Sequence, residues 1–233
     1  DGFDDLLVGD PEAGGGAGRV VLHRGTPEGV EPTPAWELVG GPGDGLGSAV
    51  AWLADHDGDG LPEAAIGCAN CGIGGALAVY PSDGVTLEPV PSWTFESDRP
   101  GEALGSALTA GDLDGDGFDD LVAGAPDSDG GEVDEGRILL FYGGPEGFAP
   151  SPDWAFESDE PGGHLGHAFA APRDLNGDGL DDLVAGAWGV AAPIAETGRI
   201  YLFGGSPDGL SVPDQQIDGL GAGGRFGWAL APA

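Results

Sequence analysis

The fold class predicted by this sequence is all-β, with four-stranded antiparallel blades stacked side by side as in a propeller. Three observations predict it. A unit of some 60 residues recurs four times, its acidic turn ending at Gly2, Gly60, Gly117 and Gly179, which are 58, 57 and 62 residues apart. Each unit holds short apolar or alternating runs bounded by Gly, Pro, Asp or Ser, the signature of strands joined by tight turns. No segment sustains a 3.6-residue period over a helix length. One blade cannot bury both faces of its sheet, whereas stacked neighbours can, so the repeat is itself the folding logic. A two-sheet sandwich leaves the period unexplained.

The runs follow in a fixed order. The first comes straight after each acidic turn, in Phe3–Gly9, Leu61–Gly67, Phe118–Gly124 and Leu180–Gly186. The second is Arg19–His23, Ala76–Tyr80, Arg137–Tyr142 and Arg199–Phe203. A third, weaker run holds Trp36, Trp93 and Trp154, with Gln215 at that place in the fourth copy. The fourth follows Leu46-Gly47, Leu104-Gly105, Leu165-Gly166 and Phe226-Gly227. The chain therefore divides into repeats of about 1–54, 55–111, 112–173 and 174–233 within a single propeller region.

Composition bounds the function. Seven basic residues, all Arg, stand against 41 acidic ones, a formal charge of −34 over 233 residues. That sign excludes nucleic acid and anionic membrane surfaces as partners. Gly 48 and Pro 20 suit turns, while 40% apolar residues and six Trp suffice for a core. No apolar run approaches the ~20 residues that span a bilayer.

The acidic turns carry the chemistry. Asp112, Asp114, Asp116 and Asp120 occupy positions 1, 3, 5 and 9 of a loop with Gly117 at position 6. Asp55, Asp57, Asp59 and Glu63 repeat the pattern around Gly60, and Asp174, Asn176, Asp178 and Asp182 repeat it around Gly179. Alternate oxygen donors around a tight glycine turn wrap a hard cation of Ca²⁺ size, with the position-7 carbonyls of Leu61, Phe118 and Leu180 completing the cage. Mg²⁺ fits less well because it gives up its water reluctantly. An EF-hand needs a bidentate acid at position 12, where this chain has Ile66, Ala123 and Ala185 inside apolar runs. Asp1, Phe3 and Asp5 are positions 5, 7 and 9 of a fourth loop that lacks its start. Eleven carboxylates in three complete loops repel one another without cations and become cross-links with them. Asp119 and Asp181, at position 8, are expected to point into solvent.

The succession Leu-Gly, then Asp-x-Asp-x-Asp-Gly-x-x-Asp, then Leu-Val-x-Gly-Ala-Pro resembles the FG-GAP repeat of integrin α-subunits and related secreted proteins. Leu104-Gly105 through Gly124-Ala125-Pro126 is the fullest copy, and the name-giving Phe-Gly survives as Phe226-Gly227. The resemblance implies a seven-bladed propeller, of which this chain would be about four blades. It implies Ca²⁺ at the positions named above, in a structural role, with no catalytic residue. It also implies an extracellular or cell-surface location and recognition of a protein or glycan ligand through loops on another face. The expected function is a calcium-stabilised, non-catalytic binding or adhesion scaffold. The alternative is the non-catalytic propeller part of a larger secreted hydrolase or lyase. A closed four-bladed ring, with Phe226–Leu230 supplying the first blade's missing strand, is the sharper alternative to a stretch of a longer propeller.

The remaining motifs carry less. Cys68 and Cys71 are too few for a zinc site and read as a small disulfide pinning a loop. His164 and His167 read as ordinary loop or strand positions without a third metal ligand. Gly219–Gly224 fits a dinucleotide fingerprint only formally, since no helix follows it. Trp36, Trp93 and Trp154 read as packing between blades, with sugar stacking at a rim as the alternative.

Overall fold

In the computed structural model, which describes residues 2–191 and 197–231, the apolar runs are strands. β1 (Leu6–Asp10) leads through a four-residue helical turn, α1 (Ala13–Gly16), into β2 (Arg19–His23). The small hairpin β3 (Gly25–Thr26) and β4 (Gly29–Val30) precedes β5 (Trp36–Val39). β1, β2 and β5 form an antiparallel sheet of three strands. Three four-stranded antiparallel sheets follow, each hydrogen-bonded in chain order. The second sheet contains β6 (Leu46–Leu53), β7 (Glu63–Cys68), β8 (Ala76–Tyr80) and β9 (Trp93–Glu96). The third contains β10 (Ala107–Gly111), β11 (Asp120–Ala125), β12 (Arg137–Phe141) and β13 (Trp154–Glu157). The fourth contains β14 (Leu165–Arg173), β15 (Asp182–Ala187), β16 (Arg199–Phe203) and β17 (Gln215–Asp218). Each complete acidic loop closes the hairpin between the first two strands of a sheet, as where Gly111 pairs with Asp120.

Burial follows from stacking. β7 and β11 have sheets on both faces and are buried at all six positions. β1, in the first sheet, buries only Leu7. Three hydrophobic clusters lie between consecutive sheets. Leu7, Val20 and Leu22 meet Ala64, Ile66 and Tyr80 across the first junction. Ala65, Leu77 and Val79 meet Leu121, Leu139 and Phe141 across the second. Val122, Ile138 and Leu140 meet Leu183, Tyr201 and Phe203 across the third. Neighbouring residues of one strand thus serve opposite junctions, as the two-residue period of a strand requires.

The recurrent tryptophans belong to these junctions. Trp36 meets Tyr80 at 5.3 Å, Trp93 meets Phe141 at 4.8 Å and Trp154 meets Phe203 at 5.3 Å, each edge-on. Each pair links the last strand of one sheet to the third strand of the next, so these rings pack between blades.

A glycine pair marks every junction. A Cβ on Gly9, Gly67, Gly124 or Gly186 would collide with the carbonyl oxygen of Gly47, Gly105, Gly166 or Gly227, respectively. The second member of each pair has φ between 82° and 88°, a conformation natural only to glycine. Parallel bridges at Gly18–Leu46, Gly75–Leu104, Gly136–Leu165 and Gly198–Phe226 fix the same junctions. Residues 226–231 carry no strand, and among the described residues none pairs with the free edge of β1. Closure of a four-bladed ring by Phe226–Leu230 is therefore not seen.

Candidate metal centres

The acidic loops fold by satisfying their own backbone. At position 1, the two carboxylate oxygens accept the N–H groups of positions 4 and 6. Asp55 does so from Gly58 and Gly60 at 2.6 and 3.0 Å, Asp112 from Gly115 and Gly117 at 2.7 and 3.0 Å, and Asp174 from Gly177 and Gly179 at 2.6 and 3.0 Å. All six glycines have positive φ. The position-3 and position-5 side chains each accept the N–H two residues on. These are Asx turns, which bend the chain around the carboxylates.

Position 9 anchors the loop to the sheet. Asp120 accepts the N–H of Leu113 at 2.8 Å and of Gly143 at 2.9 Å. Asp182 does the same with Leu175 at 2.8 Å and Gly205 at 3.0 Å. Asp5 accepts from Gly25 at 2.8 Å. Glu63 departs from the rule. Its Oε2 accepts the His56 N–H at 3.1 Å and meets His56 Nδ1 at 2.9 Å, while its buried Oε1 has no hydrogen-bond partner.

The side chains converge to different degrees. Asp55, Asp57, Asp59 and Glu63 present ligand oxygens all within 4.8 Å of one another, as do Asp112, Asp114 and Asp120, whereas Asp116 stays outside its group. Asp174, Asp178 and Asp182 do not close into such a group, and Asn176 Nδ2 donates to Asp178 Oδ2 at 2.9 Å. Asp174, Asn176 and Asp178 are exposed, but Asp55, Asp57, Asp112 and Asp114 are half-buried. Phe3 is exposed, and Asp1 lies outside the described residues. Burial pushes the Asp120 carboxyl up to about 7, helped by the charges of Asp114 and Asp112. Burial also raises Asp114, beside Asp116 and Asp112. Carboxyls so placed resist ionising together unless a cation joins them.

The loops nest in series. Phe118 and Leu180, at position 7, lie against Gly58 and Gly115 of the preceding loop, where a Cβ would strike them. Leu61 lies beside Gly84. This nesting constrains Gly58 and Gly115, whereas Gly177 at the same position has open space beside it and shares only their positive φ. The expectation for position 8 is corrected here. The Asp119 carboxylate accepts the Ala54 N–H at 2.6 Å, and its own N–H donates to the Asp55 carbonyl at 3.0 Å. The Asp181 N–H donates to the Asp112 carbonyl at 3.3 Å. Both residues are half-buried, and burial raises both carboxyls. They are inter-sheet connectors because the following loop is laid across the preceding one.

Elsewhere, Cys68 and Cys71 are joined by a disulfide across the turn after β7, with Cα atoms 5.4 Å apart. At the sheet end opposite the acidic loops, a second cluster gathers residues that the sequence reading left separate. His164 stacks on Trp188 at 4.5 Å, His167 meets Trp228 at 4.4 Å and the Arg225 guanidinium covers Trp188 at 4.7 Å. Their signal was positional. His164 and His167 flank Leu165-Gly166 as Arg225 and Trp228 flank Phe226-Gly227. Among the described residues no helix is long and apolar enough to cross a membrane.

Comparison with known proteins agrees with this geometry. The profile of the FG-GAP repeat matches residues 104–141 and 165–203. The chain is 34% identical over 149 residues to phosphatidylinositol-glycan-specific phospholipase D of Mus musculus, covering 60% of this chain and 18% of that protein. It is 36% identical over 148 residues to integrin alpha-PS2 of Drosophila melanogaster, covering 56% and 10%. It is 31% identical over 200 residues to integrin alpha pat-2 of Caenorhabditis elegans, covering 77% and 15%. The chain thus spans less than a fifth of each of these relatives. Each matched segment runs from a Leu-Gly pair through an acidic loop to the third strand of a sheet, so the chain is built on FG-GAP repeats and is related through them to integrin α-subunits and the phospholipase.

Proposed function

We propose that this chain is a calcium-stabilised, non-catalytic binding scaffold working outside the cell or on its surface. Ca²⁺ cross-links the acidic loops, and loops at the opposite end of the sheets recognise a protein or glycan partner. The observation that carries the metal reading is Glu63 Oε1, a fully buried carboxylate oxygen with no protein donor, in a loop that gathers three further acids. A buried carboxylate oxygen left without a donor is unfavourable, and a divalent cation removes the penalty. The carboxylate and carbonyl donors at the odd-numbered loop positions are hard oxygens, which suit Ca²⁺. Asp55, Asp57, Asp59 and Glu63 would hold one ion with the Leu61 carbonyl, and Asp112, Asp114, Asp116 and Asp120 another with that of Phe118. Asp174, Asn176, Asp178 and Asp182, with the Leu180 carbonyl, would need a small inward movement. Asp1, Phe3 and Asp5 supply part of a further loop.

Ca²⁺ supplies positive charge that locks each loop, and through positions 7 and 8 the neighbouring loop as well. Resemblance to integrin α-subunits supports the binding role. Resemblance to the phospholipase supports a second reading, the non-catalytic propeller portion of a larger secreted enzyme. Melting in calcium and in excess chelator tests the metal reading. The melting temperature is expected to rise with calcium concentration, since a ligand bound only by the native state stabilises it by mass action. Identical melting in both conditions refutes the reading. A catalytic domain in the full-length reading frame would favour the enzyme-appendage reading, and propeller repeats followed by stalk or anchor domains the scaffold.

A further inference from the structure

The second sheet's acidic loop differs chemically from the other two. Its position 2 is His56, where the others have Leu113 and Leu175, and its position 9 is Glu63, where the others have Asp. Elsewhere the second oxygen of the position-9 carboxylate accepts the N–H of a glycine just past the third strand, Gly143 or Gly205. The strand register puts Ser82, after Pro81, at that place in the second sheet. No such bond forms, and Glu63 Oε1 is left buried and unpartnered. His56 is 2% exposed, in contact with Glu63 and with the Phe148 ring, whose centroid lies 4.6 Å away at a 37° tilt. His56, Asp57 and Glu63 present ligand atoms all within 4.8 Å of one another. His56 and Asp57 border a cavity of about 400 Å³, also lined by Trp93, Glu146 and Phe148, while Glu63 lies fully buried behind them.

We propose that this loop is a mixed nitrogen–oxygen site for a borderline divalent transition ion of the Zn²⁺ class, held by His56, Asp57 and Glu63. This rests on reading the acidic loops as cation sites and adds a different selectivity at one of them. Imidazole is a strong ligand for zinc, nickel and copper but a poor one for calcium, while carboxylates serve both classes. Histidine nitrogen and carboxylate oxygen bind Zn²⁺ at about 2.0–2.2 Å, so donors within 4.8 Å of one another need only draw together slightly to share one ion. The longer Glu side chain carries its free oxygen past the position that an Asp would reach, and the missing backbone donor leaves that oxygen available to metal.

The test is calorimetric titration of the chain with ZnCl₂ and separately with CaCl₂, for the wild type, His56→Leu and His56→Gln. Leu is the residue the other two loops carry at this position, and Gln preserves a donor to Glu63. The wild type is expected to take up one Zn²⁺ at least tenfold more tightly than either variant, with calcium uptake at the third sheet's loop unchanged. Equal zinc affinity in all three proteins overturns the proposal. Calcium binding without that zinc difference defeats this inference alone, whereas absence of both defeats the cation reading of the loops. Should the variants fail to fold, X-ray absorption of the zinc-loaded wild type decides. An imidazole in the zinc shell supports the assignment, and an all-oxygen shell overturns it.

Discussion

Gly124 shows how one residue fixes a junction. A methyl group there meets the backbone of Gly166, and backbone cannot rotate away as a side chain can. Gly124→Ala is therefore expected to destabilise the chain by about 2 kcal/mol or more, the scale of overpacking. Gly131→Ala, where nothing lies within 4 Å, should leave the melting temperature nearly unchanged. Denaturant unfolding of the two variants checks this, and equal effects would contradict the steric account. His167 offers a second test. Burial lowers its pKa, chiefly by desolvating the charged ring, with His164 adding repulsion. The unfolded chain therefore takes up a proton that the folded chain resists. Stability should be retained above pH ~6.5, the ordinary histidine value, and lost as pH falls below it. His167→Phe should reduce that acid-side loss, read as melting temperature from pH 7.5 to 5. Parallel profiles for wild type and variant would argue against a half-buried ring that resists protonation.

Each strand and loop serves two sheets at once. Trp93 belongs to β9 yet packs on Phe141 of β12, and its indole N–H donates to the Ala149 carbonyl at 2.9 Å. Trp93→Ala is expected to cost about 3 kcal/mol, in the range for large aromatic truncations. Its effect should appear as weakened cohesion of the second and third sheets, measured by hydrogen exchange in β8 and β12. Exchange that accelerates only in β9 would show that the ring matters locally. Asp119→Ala removes the acceptor for the exposed Ala54 N–H and is expected to cost about 1 kcal/mol, the net worth of one hydrogen bond. An Asp119→Ala protein as stable as wild type would restore the solvated reading of position 8. Period alone could not reveal this role, because neighbouring residues of one loop point to different blades. Position 8 looks like one more acid in the sequence, and only the lateral offset of consecutive loops places it against Ala54. The strand order, the hairpin position of the loops and the inter-sheet tryptophans were legible, because each recurs at a fixed interval and recurrence reports a repeated environment.

At the scale of the molecule, cohesion passes from sheet to sheet through three apolar clusters at the junctions and through nested acidic loops at one end. The clusters were readable from the apolar runs. The aromatic group around Trp188 was not, since it joins residues of two consecutive repeats at a place where the other repeats have none. The acidic loops were legible as a pattern of oxygens, but their unequal convergence was not. Asp116 lies outside its group and the third loop is exposed, because depth of cover depends on the neighbouring loop and not on the motif. A chain of charge −34 stacked in this way should be loosened by low calcium more than by low salt. The most direct test of the central claim is to count Ca²⁺ bound at saturation by equilibrium dialysis, for wild type and for Asp57→Ala with Asp114→Ala. The account predicts at least two ions in the wild type, loss of the ions at the second and third sheets' loops in the double variant, and a smaller rise of melting temperature with calcium in that variant. A wild-type chain that retains no calcium at millimolar concentration, or a double variant that retains all of it, would contradict the account.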